Sequence, residues 1–227
     1  MNNQKLQRIL VLASGGGGTY KFLHKAIRLL GLPYTIVAAV CDRECGAAEY
    51  ARKEDIPLHL FPDWRSQEAD IISTLRQIAP DIILSTVHRI LTPNVLSATP
   101  ATYVNIHFSL LPSFAGLIGM DRIFALARQQ NVRVIGATAH YITEELDGGP
   151  IIAQGALCVD WTDDIATIKN ALFRVSCLTI LNALLTACPP DNPPMRYAND
   201  GSALYSPHLP IDKQLFTEQF WLNVKNA

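Results

Sequence analysis

The chain begins with a short apolar segment, a glycine-rich loop and a helical segment, and this order restricts the possible folds most strongly. Residues 8–13 are mostly apolar without alternation, which is typical of a parallel strand buried on both faces. They lead into the loop at residues 14–19, and residues 20–30 then carry apolar side chains at helical spacing. Strand-like and helical segments go on alternating along the chain. This pattern predicts an α/β fold with a doubly wound, mostly parallel sheet.

The same pattern assigns elements to most of the remaining chain. Further strands are predicted at 32–41, 57–61, 81–86, 101–107 and 151–159, and helices at 45–53, 66–78 and 165–187. The last helix is expected to be amphipathic, with acids in its first turn. We predict one catalytic domain over residues 1–188 and a C-terminal extension over residues 189–227.

The predicted extension contains a turn and an aromatic segment. A turn is expected at Asn199-Asp200-Gly201, between residues 195–197 and residues 203–205. Phe216, Phe220 and Trp221 recur at helical spacing. We expect this segment to pack on the domain or on a partner subunit.

Composition excludes several classes of partner and compartment. A length of 227 residues suits one sizeable domain, and a formal net charge of −1 gives no reason to expect nucleic acid or an anionic membrane surface as partner. The polar N-terminus has no pattern of a signal peptide or spanning helix, which favours a cytoplasmic protein. Five cysteines without a CxxC pair are typical of reduced thiols rather than of disulfides or a zinc site.

The glycine loop allows two interpretations that the sequence leaves open. Glycines before a helix can turn their amides towards a phosphate, and the helix N-terminus adds partial positive charge. The dinucleotide-binding fingerprint fails because Tyr20 stands where its third glycine belongs, and no Walker lysine follows. The segment is therefore a site for a phosphate or other anion, or simply a tight turn. The candidate residues are Gly15, Gly16, Gly17, Gly18 and Thr19.

Two further loops follow predicted strands. Asp42 ends the second strand, and without the third glycine we interpret it as a helix cap or turn residue. Thr92 and Pro93 are typical of a helix start, with the threonine as cap. Ligands of doubly wound sheets bind beyond the carboxyl ends of the strands, where these loops lie, so a shared cleft is expected there.

Three polar residues in the second half of the chain are candidates for catalysis. Asn105 and His107 alternate around one apolar residue at a strand end, so their side chains point to the same side. Asp147 lies in a turn formed with two glycines and a proline. Taken singly, such residues usually have structural roles. Brought together, an amide, an imidazole and a carboxylate form a site suited to acyl-group chemistry.

Their joint arrangement resembles a known family. Asn105-Ile-His107, followed by Ser109-Leu-Leu-Pro112 and by Glu145-Leu-Asp147-Gly-Gly-Pro150, looks like the active-site signature of the folate-dependent formyltransferases. The resemblance covers residues 8 to 187. Two branches of the superfamily are most similar: phosphoribosylglycinamide formyltransferase and formyltetrahydrofolate deformylase.

The resemblance implies a Rossmann-like formyltransferase fold, 10-formyltetrahydrofolate as co-substrate and no metal. It implies catalytic roles for Asn105, His107 and Asp147. It also implies that the folate lies against Arg89, Ile90, Leu91, Ile142, Thr143, Glu144 and Glu145. Partners would be small-molecule substrates, and the protein would be a monomer or homodimer.

The identity of the formyl acceptor stays open at the level of sequence. The glycine loop resembles the phosphate loop of the transferase in position, but Gly18 and Thr19 replace the Ser-Asn that typically completes it, and Ser113 replaces a common lysine. Residues 114–116 and 135–141 are more similar to the deformylase, and residues 119–131 are longer than usual. The position of the glycine loop favours transfer to an amine of a phosphorylated acceptor such as glycinamide ribonucleotide, and this is the reaction that we expect. Hydrolysis of the formyl folate, transfer to an amino sugar and a non-enzymatic folate-binding module are the alternatives.

Overall fold

The computed structural model describes residues 6–116, 120–189 and 203–227. Over these residues it has the predicted α/β fold with a mostly parallel sheet, and eight strands are described. The strands are β1 (Gln7–Ala13), β2 (Tyr34–Cys41), β3 (Leu58–Leu60), β4 (Ile82–Thr86), β5 (Thr102–His107), β6 (Val134–Tyr141), β7 (Ile151–Cys158) and β8 (Ala203–Ser206). The helices are α1 (Gly18–Leu30), α2 (Gly46–Lys53), α3 (Glu68–Ile78), α4 (Pro93–Leu96), α5 (Met120–Gln129), α6 (Ile165–Ala187) and α7 (Glu218–Lys225).

Contacts divide the chain into two compact units. The first unit consists of Met1–Asn105 and Phe216–Ala227, and the second of Ile106–Leu215, so the boundary falls inside β5. The first unit contains the parallel strands in the order β3-β2-β1-β4-β5. In the second unit β7 pairs in antiparallel fashion with both β6 and β8. The predicted domain boundary at residue 188 is a different division and stays a prediction.

Local sequence explains the start of the first unit. From Ile9 to Ala13 every residue of β1 is buried, as the continuous apolar run predicts. Gly31 ends α1 in the left-handed conformation that favours glycine. The hydroxyl of Thr92 accepts a hydrogen bond from the amide of Val95, so the predicted cap of α4 is confirmed.

Helix α6 has the predicted ends but a different character. The carboxylate of Asp164 caps it by accepting from the amide of Thr167. Its second half is not amphipathic, because every residue from Val175 to Leu185 is buried. By length and composition α6 could cross a membrane, yet 67% of its apolar window is buried in the structure. It is therefore a core helix of the second unit, where it packs against β6 and β7. The prediction of acids in its first turn is wrong, because Asp164 is the N-cap and the first turn contains no acidic residue.

The C-terminal extension ends in an aromatic cluster within the first unit. The ring of Trp221 on α7 stacks on Phe22 of α1, with 5.3 Å between the ring centroids and an interplanar angle of 8°. Phe216 and Phe220 surround the same pair. The extension therefore packs on α1 of its own chain. The predicted turn at residues 199–201 lies outside the described residues, whereas β8 matches the predicted segment after it.

We predict that Trp221→Ala destabilises the fold by about 3–5 kcal/mol, because it removes a buried indole from the cluster with α1. Leu222→Ala on the same helix is the control, since Leu222 is 49% exposed. Its effect should stay within about 0.5 kcal/mol. Urea unfolding of both variants measures the difference. Equal losses would show that the cluster does not hold α7 to α1.

Candidate active site

His107 ends β5 with its imidazole almost fully buried. Its Nδ1 lies 3.4 Å from Oδ2 of Asp147, and its Nε2 lies 3.0 Å from the carbonyl oxygen of Phe114. Both ring nitrogens thus face oxygen acceptors. Only the imidazolium, which carries a proton on each nitrogen, can donate to both. The ring is therefore held in one orientation between the carboxylate and this carbonyl group.

Asp147 reaches this position from a tight turn after β6. Its backbone is in the left-handed region, with φ of 52°. Gly149 has to be glycine, because a Cβ atom there would lie 1.8 Å from the carbonyl oxygen of Tyr141. The amide of Tyr141 in turn donates to the carbonyl of Pro150. The turn is thereby fixed against the end of β6, and Asp147 points back towards His107.

The carboxylate of Asp147 has two partners besides His107. The amide of Gly116 donates to Oδ2 at 2.8 Å, and Nε2 of His140 lies 3.6 Å from Oδ1. Burial raises the pKa of Asp147, but the interactions with His140, Gly116 and His107 outweigh this effect and lower the pKa below its usual value. Asp147 is therefore a stable anion between two imidazoles.

Sequence reasoning gave His140 no role. His140 is buried near the end of β6, and its Nδ1 lies 2.9 Å from the carbonyl oxygen of Tyr141. A usable signal exists, since His140, like His107, lies near the end of a strand and is seven residues before Asp147. No strand is predicted from the sequence over residues 134–141, so this position carried no expectation.

Asn105 lies on β5 two residues before His107 and is the last residue of the first unit. It is half-buried and pairs in register with Ser85 of β4. Its side chain therefore belongs to the carboxyl end of β5, as predicted. A catalytic role for it stays a prediction.

The glycine loop combines close packing with open space. Gly17, with φ of 69°, precedes α1, and a Cβ atom on it would lie 2.9 Å from that of Ala47. Cβ atoms on Gly15 or Gly16 would meet nothing within 4 Å. Thr19 is buried and does not present its hydroxyl to solvent. The loop is thus a turn with an open side, so an anion site there stays a prediction.

Arg89, Ile90 and Leu91 follow β4 in the first unit. Among the described residues they make no main-chain hydrogen bond, so their amides and carbonyls are available to a ring edge. Leu91 is buried, whereas 62% of Ile90 is exposed and can cover the face of a flat ligand. The side chain of Arg89 turns to Asp42, with Nε donating to Oδ2 at 2.7 Å.

Asp42 does not cap a helix, so the first of its two predicted roles is wrong; it lies in the bend that follows β2, which agrees with the second. The residue before α2 is Cys45, and Asp42 is buried in ion pairs with Arg89 and Arg43. Burial raises the pKa of Asp42, but hydrogen bonds from Arg43, Arg89 and Ser14 bring it down to about 2. The sequence did not reveal this cluster because Arg89 lies 47 residues further along the chain, although Arg43 is adjacent to Asp42.

Comparison with known proteins gives the family. The sequence profile described as formyl transferase matches residues 7–184. The chain belongs to the formyl transferase family. The matched region includes Asn105, His107, His140 and Asp147.

Curated relatives of this formyl transferase fall into the two branches that the sequence resembles. The chain is 37% identical over 171 residues to phosphoribosylglycinamide formyltransferase of Mycobacterium tuberculosis, and the match covers 73% of this chain and 77% of the relative. It is 35% identical over 139 residues to formyltetrahydrofolate deformylase of Bacillus subtilis, covering 59% of this chain and 45% of the relative. The match to the chloroplastic phosphoribosylglycinamide formyltransferase of Arabidopsis thaliana covers 56% of that protein. The chain thus spans about half the length of several of these relatives.

Solved structures confirm the formyl transferase fold. Glycinamide ribonucleotide transformylase 1 of Geobacillus kaustophilus superposes with a TM-score of 0.70 at 30% identity, over 79% of this chain and 97% of that one. A formyltetrahydrofolate deformylase of Pseudomonas putida superposes with a TM-score of 0.68 at 27% identity, over 79% of this chain and 64% of that one. The two branches are therefore similarly close in fold.

The remaining residues predicted for folate flank the Asp147 turn of the formyl transferase. The hydroxyl of Thr143 donates to the carbonyl of Glu145, which also accepts from the amide of Gly148. Glu144 and Glu145 are exposed, and Ile142 is half-buried. This segment is fixed by its own hydrogen bonds and keeps its side chains accessible.

A separate cavity of about 340 Å³ lies within the second unit. Apolar side chains, among them Phe114, Phe124 and Trp161, make up most of its wall, and none of the predicted site residues lines it. Over residues 6–116, 120–189 and 203–227, no group of three or more His, Cys, Asp or Glu residues could hold a metal ion.

We predict that His140→Gln raises the pKa of Asp147, because it removes the imidazole beside Oδ1. In the unmutated protein the lowered pKa stabilises the fold above the unfolded value of about 3.9. That contribution is lost as the pH falls through the folded pKa, and it should be smaller in the variant. Carbon-13 NMR titration of the Asp147 carboxyl measures the pKa. His59→Gln on β3 is the control, and an unchanged pKa in His140→Gln would contradict the assigned contact.

Proposed function

We propose that the protein transfers the formyl group of 10-formyltetrahydrofolate to an amine on a phosphorylated acceptor such as glycinamide ribonucleotide. The observation that carries this proposal is the ion pair of His107 with Asp147, held by the amide of Gly116. The family match and the relatives named phosphoribosylglycinamide formyltransferase support the reaction type.

The reaction needs a group that stabilises an oxyanion and a path for one proton. The neutral acceptor amine attacks the formyl carbon, so that a carbon–nitrogen bond forms and negative charge collects on the formyl oxygen. The bond from this carbon to N10 of the folate then breaks. The acceptor nitrogen loses one proton and N10 gains one, giving the formylated amine and tetrahydrofolate.

The three predicted catalytic residues match these needs chemically. Asn105 has an amide N–H that can donate to the oxyanion, and protonated His107 can supply a second donor. Asp147 keeps His107 charged, and as a stable anion it can accept a proton or orient a water that carries one. In this mechanism His140 positions Asp147 and does not contact the substrate.

The folate would lie against the two segments predicted for it. Ile90 offers exposed apolar surface to the pterin face, and the main chain of Arg89, Ile90 and Leu91 offers hydrogen-bonding groups to its edge. Residues 142–145 would flank the formyl-bearing end because the Asp147 turn follows them. The bound co-substrate supplies an activated one-carbon group.

Hydrolysis of formyltetrahydrofolate is the second candidate, and a specific observation favours it. The segments that contact the His107–Asp147 pair are residues 114–116, through Phe114 and Gly116, and residues 135–141, through His140. These are the segments whose sequence is more similar to the deformylase. With water in place of the amine, the same side chains would release formate.

We further propose a soluble, cytoplasmic enzyme that acts on small molecules as a monomer or homodimer. The burial of α6 supports solubility. The near-neutral formal charge of −1 supports the absence of a nucleic-acid or membrane partner.

One assay separates the two candidates. The protein is incubated with 10-formyltetrahydrofolate, with and without glycinamide ribonucleotide, and tetrahydrofolate release is followed. Release that depends on the acceptor supports the transferase, and equal release without it supports the hydrolase. Tight folate binding without release in either condition would refute both.

We predict that Asp147→Asn reduces turnover sharply while folate still binds, because the amide cannot hold the imidazolium or accept a proton.

Asn105→Ala should reduce the rate by about 10²–10³, as for the loss of one oxyanion donor. Asp163→Asn, an exposed change outside the site, is the control. Rates and folate affinity are measured on the same preparations. Near-normal turnover of Asp147→Asn would remove this residue from the mechanism.

A further inference from the structure

The cavity in the second unit has the size of a ligand pocket. Its volume is about 340 Å³. An apolar cavity of roughly 150 Å³ holds benzene, and pockets for small molecules begin at about 300 Å³. Gln130 and Val134 line the cavity and are exposed, so it reaches the protein surface. The space therefore suits a molecule of one or two fused rings that enters from solvent.

Aromatic residues line several sides of the cavity. Phe124 of α5 and Trp161 lie edge to face, with 6.1 Å between the ring centroids and an interplanar angle of 88°. Phe108 and Phe114 line it from the loop after β5. Aromatic rings attract another ring in offset or edge-to-face contact, beyond the effect of buried area alone. These residues therefore favour an aromatic ligand over an aliphatic one.

No charged side chain lines the cavity among the described residues of the second unit. The ring N–H of Trp161 already donates to the carbonyl of Val132. The hydroxyl of Ser109 likewise donates to the carbonyl of Ser113. A charge that leaves water without a partner is strongly disfavoured. The lining therefore selects a neutral molecule.

The loop that forms one side of the cavity is fixed to the sheet. The buried hydroxyl of Thr138 on β6 donates to the carbonyl of Ser109 at 2.7 Å and accepts from the amide of Leu111 at 3.0 Å. The side-chain amide of Gln154 on β7 donates to the carbonyl of Leu111 at 3.2 Å. The cavity is therefore preformed, so a ligand need not order this loop when it binds.

Phe114 connects the cavity to the candidate active site. It lines the cavity, and its carbonyl oxygen lies 3.0 Å from Nε2 of His107. Its φ is 58°, a left-handed conformation that is unusual for a bulky residue. Such strain persists only where neighbouring contacts hold it, and it is common at functional sites. A ligand that packs against Phe114 therefore acts on the residue that contacts His107.

We propose that this cavity binds a neutral aromatic molecule of one or two rings, and that Phe114 transmits its presence to His107. The ligand binds the conformation in which Phe114 contacts His107, so it stabilises that conformation relative to others. The site is separate from the residues proposed to hold the folate, none of which lines the cavity. It is the same whether the formyl acceptor is an amine or water.

Isothermal titration calorimetry of the full chain with indole tests the site, and indole-3-carboxylate is the charged comparison. Indole has two fused rings and no charge, so it should bind. Indole-3-carboxylate should bind at least about tenfold more weakly, because its carboxylate meets no cation in the cavity.

Ala127→Phe on α5 should weaken indole binding by at least about tenfold, because Ala127 is buried in the cavity wall and the added ring occupies the space. Ala125→Phe is the matched control on the same helix, since Ala125 is exposed and does not line the cavity. Indole should bind to it as it binds to the unmutated protein. Val134→Trp is a second variant, which places a larger side chain at an exposed position of the lining. It should also weaken binding, and circular dichroism verifies that each variant is folded.

NMR of the ring nitrogens of nitrogen-15-labelled histidines tests the link to the active site. Addition of indole should shift the signals of His107, because the carbonyl of Phe114 contacts its Nε2. His59 on β3, in the first unit, is the internal control and should not shift. In Phe114→Ala the signals of His107 should respond less, since the ring that the ligand contacts is absent.

The site is refuted if indole does not bind to the unmutated protein, or if Ala127→Phe and Ala125→Phe bind it equally. The link is refuted if indole binds in the cavity while the signals of His107 stay unchanged. Absent formyl transfer is a separate result that bears on the proposed function alone, because neither the calorimetry nor the NMR measurement depends on turnover.

Discussion

The ionised carboxylate of Asp147 is the group on which the rest of the site depends. A buried carboxylate is costly unless hydrogen bonds and opposite charges compensate it. Here the amide of Gly116 and the imidazoles of His107 and His140 provide that compensation. Each of them comes from a different loop or strand of the second unit, so the carboxylate also fixes their relative positions. In the proposed mechanism the same anion pairs with the protonated form of His107.

Each of the two units compensates a buried carboxylate with hydrogen bonds and with neighbouring basic side chains. In the first unit Asp42 is compensated by Arg43, Arg89 and Ser14, and its pKa falls to about 2. In both units a buried carboxylate near a strand end holds cationic side chains in fixed positions. The difference lies in the cations, because arginine stays charged at every physiological pH whereas histidine can exchange a proton. The first cluster is therefore suited to binding and the second to proton transfer.

Local sequence predicted the elements whose signals are local. The apolar run of β1 and the cap of α4 are set by neighbouring residues, and both were found. The pairing of Asp42 with Arg89 was missed because the two residues are 47 positions apart. The place of His140 was missed because no strand was predicted over residues 134–141. Helix α6 was expected to have a polar face because its first turns have one, but the second half is enclosed on all sides. The resemblance to a family supplied what spacing alone could not, namely that His107 and Asp147 belong together; that Asn105 acts with them stays a prediction.

A double-mutant cycle on His107 and Asp147 tests the central claim most directly. The claim is that the two side chains act as one unit, so the losses in kcat/KM for tetrahydrofolate release should not add. After His107→Ala, the further change Asp147→Ala should cost little more, because the carboxylate has already lost the imidazole that it holds. Losses that multiply independently in the double variant would contradict the account.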